Sequence, residues 1–90
     1  MYLIVYSKKA IKDIQFLKSS QLAEKAKALI LILENDPFQT PPSFEKFQGD
    51  LKGAYFRRIN LQHRMIYEIV ESTKTVKILS LWSHYYSIIA

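Results

Sequence analysis

Arginine is confined to one short stretch of this 90-residue chain: Arg57, Arg58 and Arg64 are its only arginines, while the lysines lie mostly in segments that read as helices. A guanidinium presents a planar fork that binds two phosphate oxygens at once, whereas a helix-surface lysine ordinarily only solvates the protein. Arg57 and Arg58 are neighbours in a strand-like run, so their side chains leave opposite faces and cannot serve one site in the same way. Arg64 opens the next run, straight after Gln62-His63, with Ile66, Glu68 and Val70 on its side of the pleat. His84 closes the last run, and imidazole exchanges a proton near neutral pH. With Glu45 from the preceding loop, these residues form a set suited to cutting RNA without a metal. A carboxylate removes the 2'-hydroxyl proton, an arginine stabilises the phosphorane-like transition state, and a histidine protonates the departing 5'-oxygen. The simpler account of each residue is a solvated loop acid, a paired sheet edge and an incidental histidine, with Tyr55, Phe56, Tyr67 and Trp82 as core or sheet-face aromatics. Spacing alone leaves both accounts open.

The elements that must position these residues follow from the apolar pattern. Tyr2 to Tyr6 is a strand rich in Ile, Val and Tyr. Ser7 can cap a helix carrying Ala10, Ile11, Ile14 and Leu17 at three-and-four spacing. Ser19-Ser20 interrupts, and Leu22, Ala26, Leu29, Ile30 and Leu33 resume the period until Asn35-Asp36-Pro37 stops it, which predicts a helical hairpin. A proline-rich loop, Asp36 to Pro42, follows; Gly49 and Gly53 mark turns. Three strands are predicted, at Tyr55 to Leu61, Arg64 to Val70 and Val76 to His84, with short links at Gln62-His63 and Glu71 to Thr75 that favour an antiparallel meander. The expected fold is α+β in the order β-α-α-β-β-β: a single domain over residues 1 to 90, with two N-terminal helices on a small, mostly antiparallel twisted sheet. Two helices cover one sheet face and leave the other for a large ligand.

Composition narrows the function classes. The chain is 49% hydrophobic and 23% charged, a globular rather than a disordered balance. It has no cysteine and two histidines, His63 and His84, which excludes Cys-rich zinc sites, a redox CxxC pair and a cysteine nucleophile. No metal or cofactor is expected. Thirteen Lys plus Arg against eight Asp plus Glu give a net charge of +5, which points to an anionic partner. The longest apolar run, Ala28 to Leu33, is far short of the roughly 20 residues of a membrane span, and the apolar N-terminus lacks the basic region of a signal peptide. A cytoplasmic protein without a membrane partner is the expectation.

Glu45-Lys46-Phe47-Gln48-Gly49-Asp50-Leu51-Lys52-Gly53, followed by Arg57-Arg58-Ile59, His63-Arg64-Met65-Ile66-Tyr67 and Ser83-His84-Tyr85, resembles the YoeB/Txe toxins of the RelE/ParE superfamily. The resemblance covers essentially the whole chain, including the element order. It implies a RelE-like fold and the toxin of a type II toxin-antitoxin pair, a ribosome-dependent, metal-independent endoribonuclease that cuts messenger RNA in the A site. It implies Glu45 as general base, Arg64 as the transition-state arginine, His84 as general acid and Tyr85 as the terminal tyrosine, with Lys52, Tyr55, Arg57 and Arg58 along the RNA. The implied partners are a cognate YefM/Axe-like antitoxin, whose acidic tail would cover the arginine region, the ribosome with its message, and a second copy in a homodimer. The chain departs from the family's pattern in having Gln48 where a lysine is common, Tyr55-Phe56 where Trp-Ser is common, and Tyr86 to Ala90 after the His-Tyr pair. The alternative keeps the fold and drops the chemistry: a ParE-like binding toxin or a nucleic-acid-binding module, which would not be expected to carry Glu45, Arg64 and His84-Tyr85 together.

Overall fold

One serine hydroxyl joins the first strand to the first helix and both to the centre of the sheet. In the computed structural model, which describes residues 1–46 and 53–84, β1 is Leu3–Tyr6 and α1 is Lys8–Ser19. Ser7 Oγ accepts the Ala10 N–H at 3.0 Å, as the sequence predicts for a cap, and donates to the Leu79 carbonyl at 2.8 Å. The Ser20 hydroxyl closes the helix on the Phe16 carbonyl at 2.7 Å. Gln21 then takes a left-handed φ of 63° and the Leu22 N–H returns to the Leu17 carbonyl at 2.9 Å, which turns the chain into α2, Ala23–Asn35. The predicted helical hairpin is therefore present.

Among the described residues four more strands follow: β2 at Glu45–Lys46, β3 at Ala54–Arg58, β4 at His63–Val70 and β5 at Thr75–His84, with a 3-10 turn, Glu71–Thr73, between the last two. The sheet order is β1-β5-β4-β3-β2. Among the described residues, only β1 with β5 is parallel; the other pairs are antiparallel. The expected order is seen with one added edge strand, because Glu45 and Lys46, read as loop, pair with Phe56 and Tyr55. β3 ends three residues before the predicted Leu61. Asn60 Oδ1 accepts the N–H groups of Gln62 at 2.9 Å and His63 at 2.8 Å, an Asx-type turn that closes the hairpin and makes His63 the first residue of β4.

The core lies between the helices and one sheet face. Ala10 and Leu17 of α1 and Ala26, Leu29 and Leu33 of α2 pack against Met65, Tyr67, Val76, Ile78 and Leu81. Each buried leucine contributes about 2 kcal/mol in this setting. Residues directly opposite in a sheet share a face, so Arg57 paired with Met65 and Tyr55 paired with Tyr67 belong to the helix side, while Phe56 with Ile66 and Arg58 with Arg64 belong to the other. Among the described residues, no helix is long and apolar enough to cross a membrane.

Candidate active site

The face turned away from the helices carries two adjacent rows across the sheet. One runs Glu45, Phe56, Ile66; the other runs Arg58, Arg64, Ser83. Two strand spacings across and two residues along put the Glu45 and Arg64 backbones about 12 Å apart. Both side chains leave the same face. Glu45 and Arg58 are exposed. Arg64 is 1% exposed, and its guanidinium carbon lies 5.3 Å from the centre of the Phe56 ring. Phe56 therefore forms a flat support for the arginine through cation–π contact.

His84 is brought alongside by the β4–β5 ladder. Arg64 pairs with Ser83 and His63 with His84, so the His84 backbone lies one residue beyond the arginine row. The strand end is braced by a stack of rings: His63 lies on Trp82 at 3.6 Å between centroids and 18° between planes, and Trp82 lies on Phe16 of α1 at 5.9 Å and 22°. The sequence shows His63 as a turn residue, but here it is buried in that stack. Lys52 and Tyr85 lie outside the described residues, as do Gln48, the Gly49 turn and the Tyr86 to Ala90 tail.

Arg57 and Tyr55 take no part in this face. The RNA contact expected of Arg57 gives way to an internal role, because all three of its guanidinium nitrogens are engaged beneath the proline-rich loop. Nε donates to the Tyr67 hydroxyl at 3.0 Å, Nη1 to the Pro42 carbonyl, and Nη2 to the carbonyls of Pro37 at 2.9 Å and Gln39 at 3.0 Å. The Phe44 ring covers the same guanidinium at 4.8 Å, and Phe44 and Phe38 meet Tyr55 edge-on while Tyr55 stacks on Tyr67. The Tyr55 ring is thereby taken up in a cluster on the helix side. Burial raises the Tyr67 hydroxyl above its ordinary 10.0, against the opposing pull of Arg57. Arg57 thus fastens the loop that delivers Glu45 to β2, and its link to the site is through backbone placement. Alternation along β3 separates Arg57 from Arg58 at the sequence level, but nothing local tells that a loop some 15 to 20 residues upstream will fold over it.

Among the described residues, no group of three His, Asp or Glu side chains is placed to hold a metal ion. The described side chains on this face offer a carboxylate and two guanidinium groups, and the His84 backbone stands opposite His63 at the end of β5.

Comparison with known proteins bears on that set. A family model described as a YoeB-like toxin of bacterial type II toxin-antitoxin systems matches residues 6–85. Toxin YoeB of Synechocystis sp. (strain ATCC 27184 / PCC 6803 / Kazusa) is 32% identical over 65 residues, 72% of this chain and 73% of that protein. The fold superimposes on a YoeB/ParE toxin from Agrobacterium tumefaciens with a TM-score of 0.81 at 26% identity, covering 92% of this chain and 99% of that one. YoeB of Staphylococcus aureus, solved as a dimer, gives 0.79 at 26% identity over 93% and 98% of the two chains. The same toxin in a heterotetrameric complex with YefM gives 0.77 at 26% identity over 94% and 99%.

Proposed function

Because this chain belongs to the YoeB-like toxins of bacterial type II toxin-antitoxin systems, we propose that it cleaves messenger RNA in the ribosomal A site and so stops translation. The observation that carries the proposal is the shared sheet face: Glu45, Arg58 and Arg64 stand in adjacent rows, with the His84 backbone beside them. In the proposed reaction Glu45 takes the 2'-hydroxyl proton and the freed oxygen attacks the adjoining phosphorus. Arg64 neutralises charge growing on the non-bridging oxygens, held in place by the Phe56 ring. His84 returns a proton to the departing 5'-oxygen, and Tyr85 has the role that the resemblance gives the terminal tyrosine. Arg58 and Lys52 hold flanking phosphates. The products are a 2',3'-cyclic phosphate and a free 5'-hydroxyl, which balances the proton removed against the proton delivered. Glu45 and Arg58 are exposed, and the ribosome supplies the alignment that an exposed surface cannot impose on a flexible strand.

The same face is the proposed target of an antitoxin. The S. aureus toxin forms a complex with YefM and also a dimer, and this chain is proposed to do both. Its antitoxin presents an acidic tail that orders over Arg58 and Arg64 and blocks the RNA. An antitoxin complex that still cut RNA at the free toxin's rate would overturn that mode of inhibition.

The test is primer extension on a purified translation system, with and without ribosomes. Wild-type protein should cut within the A-site codon only when ribosomes are present. Arg64→Ala and His84→Ala, with folding confirmed by circular dichroism, should each lose at least about 100-fold in rate, the scale of removing one transition-state donor. Folded wild-type protein that makes no cut would reject the nuclease and leave a toxin that acts by binding.

A further inference from the structure

A carboxylate in the middle of α1 lies outside the proposed reaction. Asp13 falls on the apolar stripe between Ala10 and Leu17, and it is 5% exposed. A charge in that position is costly unless it is bonded throughout. One of its oxygens, Oδ2, accepts four donors: Lys9 Nζ at 2.9 Å, the Ser80 hydroxyl at 3.2 Å, the Leu81 N–H at 3.0 Å and the Trp82 N–H at 3.2 Å. Lys9 Nζ also reaches Ser80 Oγ at 3.0 Å.

The place where these bonds fall matters. β1 accompanies β5 only as far as the Tyr6–Ile78 pair. Beyond it, α1 takes over as the neighbour of β5, first through Ser7 on the Leu79 carbonyl and then through Asp13 on two consecutive amides. On its other side, β5 slips twice against β4 in this same stretch, once between Tyr67 and Ile66 and again between Ile66 and Arg64. Each slip of one residue changes which β5 position stands opposite the end of β4, and the two slips together pair Arg64 with Ser83 and His63 with His84.

We propose that Asp13 is a positioning residue that locks the irregular turn of β5 and thereby sets the register in which Ser83 and His84 meet the end of β4. The role of His84 rests on the nuclease reading; the control of strand register by Asp13 does not. The full-length toxin carries two parallel readouts. In single-turnover cleavage on ribosomes, Asp13→Ala should lose about 100-fold in rate, the scale of a 1 Å misplacement, while the half-saturating ribosome concentration stays within about twofold. Asp13→Asn keeps an oxygen for the two amides and should recover to within about tenfold of wild type. Leu33→Ala, a core change on α2, is the comparison for destabilisation alone, and its folded fraction should cut at the wild-type rate.

The second readout is NMR of the free protein. Asp13→Ala should shift the His84 ring resonances and open the Leu81 and Trp82 amides to exchange, while Asp13→Asn keeps both near wild type. Should Asp13→Ala fail to fold, Asp13→Ser, which is too short to reach both amides, takes its place. Wild-type cleavage by the folded fraction of the Ala or Ser variant, or unmoved His84 resonances, would overturn the proposal. If wild-type protein itself makes no cut, the nuclease reading fails, and the resonances alone decide whether Asp13 sets the strand.

Discussion

Adjacent residues of the same type have opposite roles here. Arg57 and Arg58 differ by one position, and the pleat sends one under the proline-rich loop and the other to the open face. Removing Arg57 strips partners from the Tyr67 hydroxyl and from the carbonyls of Pro37, Gln39 and Pro42. Arg57→Ala should therefore cost about 3 kcal/mol, the scale of breaking a buried charged network, and lower the melting temperature by more than about 10 °C in a domain this size. Arg57→Lys, with one ammonium in place of a fork, should fall between the two. Thermal unfolding followed by circular dichroism measures both, and an Arg57→Ala melting curve that overlays wild type would refute the structural assignment. Alternation in the sequence was enough to part the two arginines. The burial of one of them depends on a loop distant along the chain, so it could not be read from neighbours.

At the scale of elements, the β3–β4 hairpin aligns Arg58 with Arg64 and so builds the basic row. Its register depends on Asn60, whose side chain gathers two backbone N–H groups at the turn. Asn60→Ala should destabilise the fold by about 1 to 2 kcal/mol, while Asn60→Asp, which retains the acceptor, should stay within about 0.5 kcal/mol of wild type. Urea titration of the three proteins tests this, with equal stability of the Ala variant as the contrary result. The helices and the three long strands were legible because their apolar periods are strong. The turn at Asn60 was not, because Ile59 and Leu61 continue an apolar alternation that suits a longer strand, and a single side-chain oxygen overrides it. β2 was equally hidden: two charged or polar residues at a sheet edge, Glu45 and Lys46, have no periodicity to show and form a strand only because Tyr55 and Phe56 offer backbone partners.

For the whole molecule, Tyr67 connects the loop, the hairpin and the core, and it gives global stability a pH dependence. Burial raises its folded-state value above the ordinary 10.0, whereas the unfolded chain ionises near 10.0. The stability it contributes is complete below pH 10 and is lost as pH rises through the folded-state value, since the unfolded state then releases its proton first. Tyr67→Phe should consequently flatten the fall in stability above about pH 10. Equal slopes for the two proteins in alkaline denaturant titrations would contradict that assignment. The sequence by itself determined the α+β order, the helical hairpin, the separation of the arginines by face and the family, because these depend on residue type, short-range period and motif. Only the tertiary structure decided that Glu45 stands on an edge strand in the same face as Arg64, that Arg57 is internal, that Phe56 supports Arg64, and that Asp13 grips the end of β5. Each of these is a contact between segments distant in the chain, where the outcome depends on which strand edges and which buried polar groups find partners, and local pattern carries no record of that.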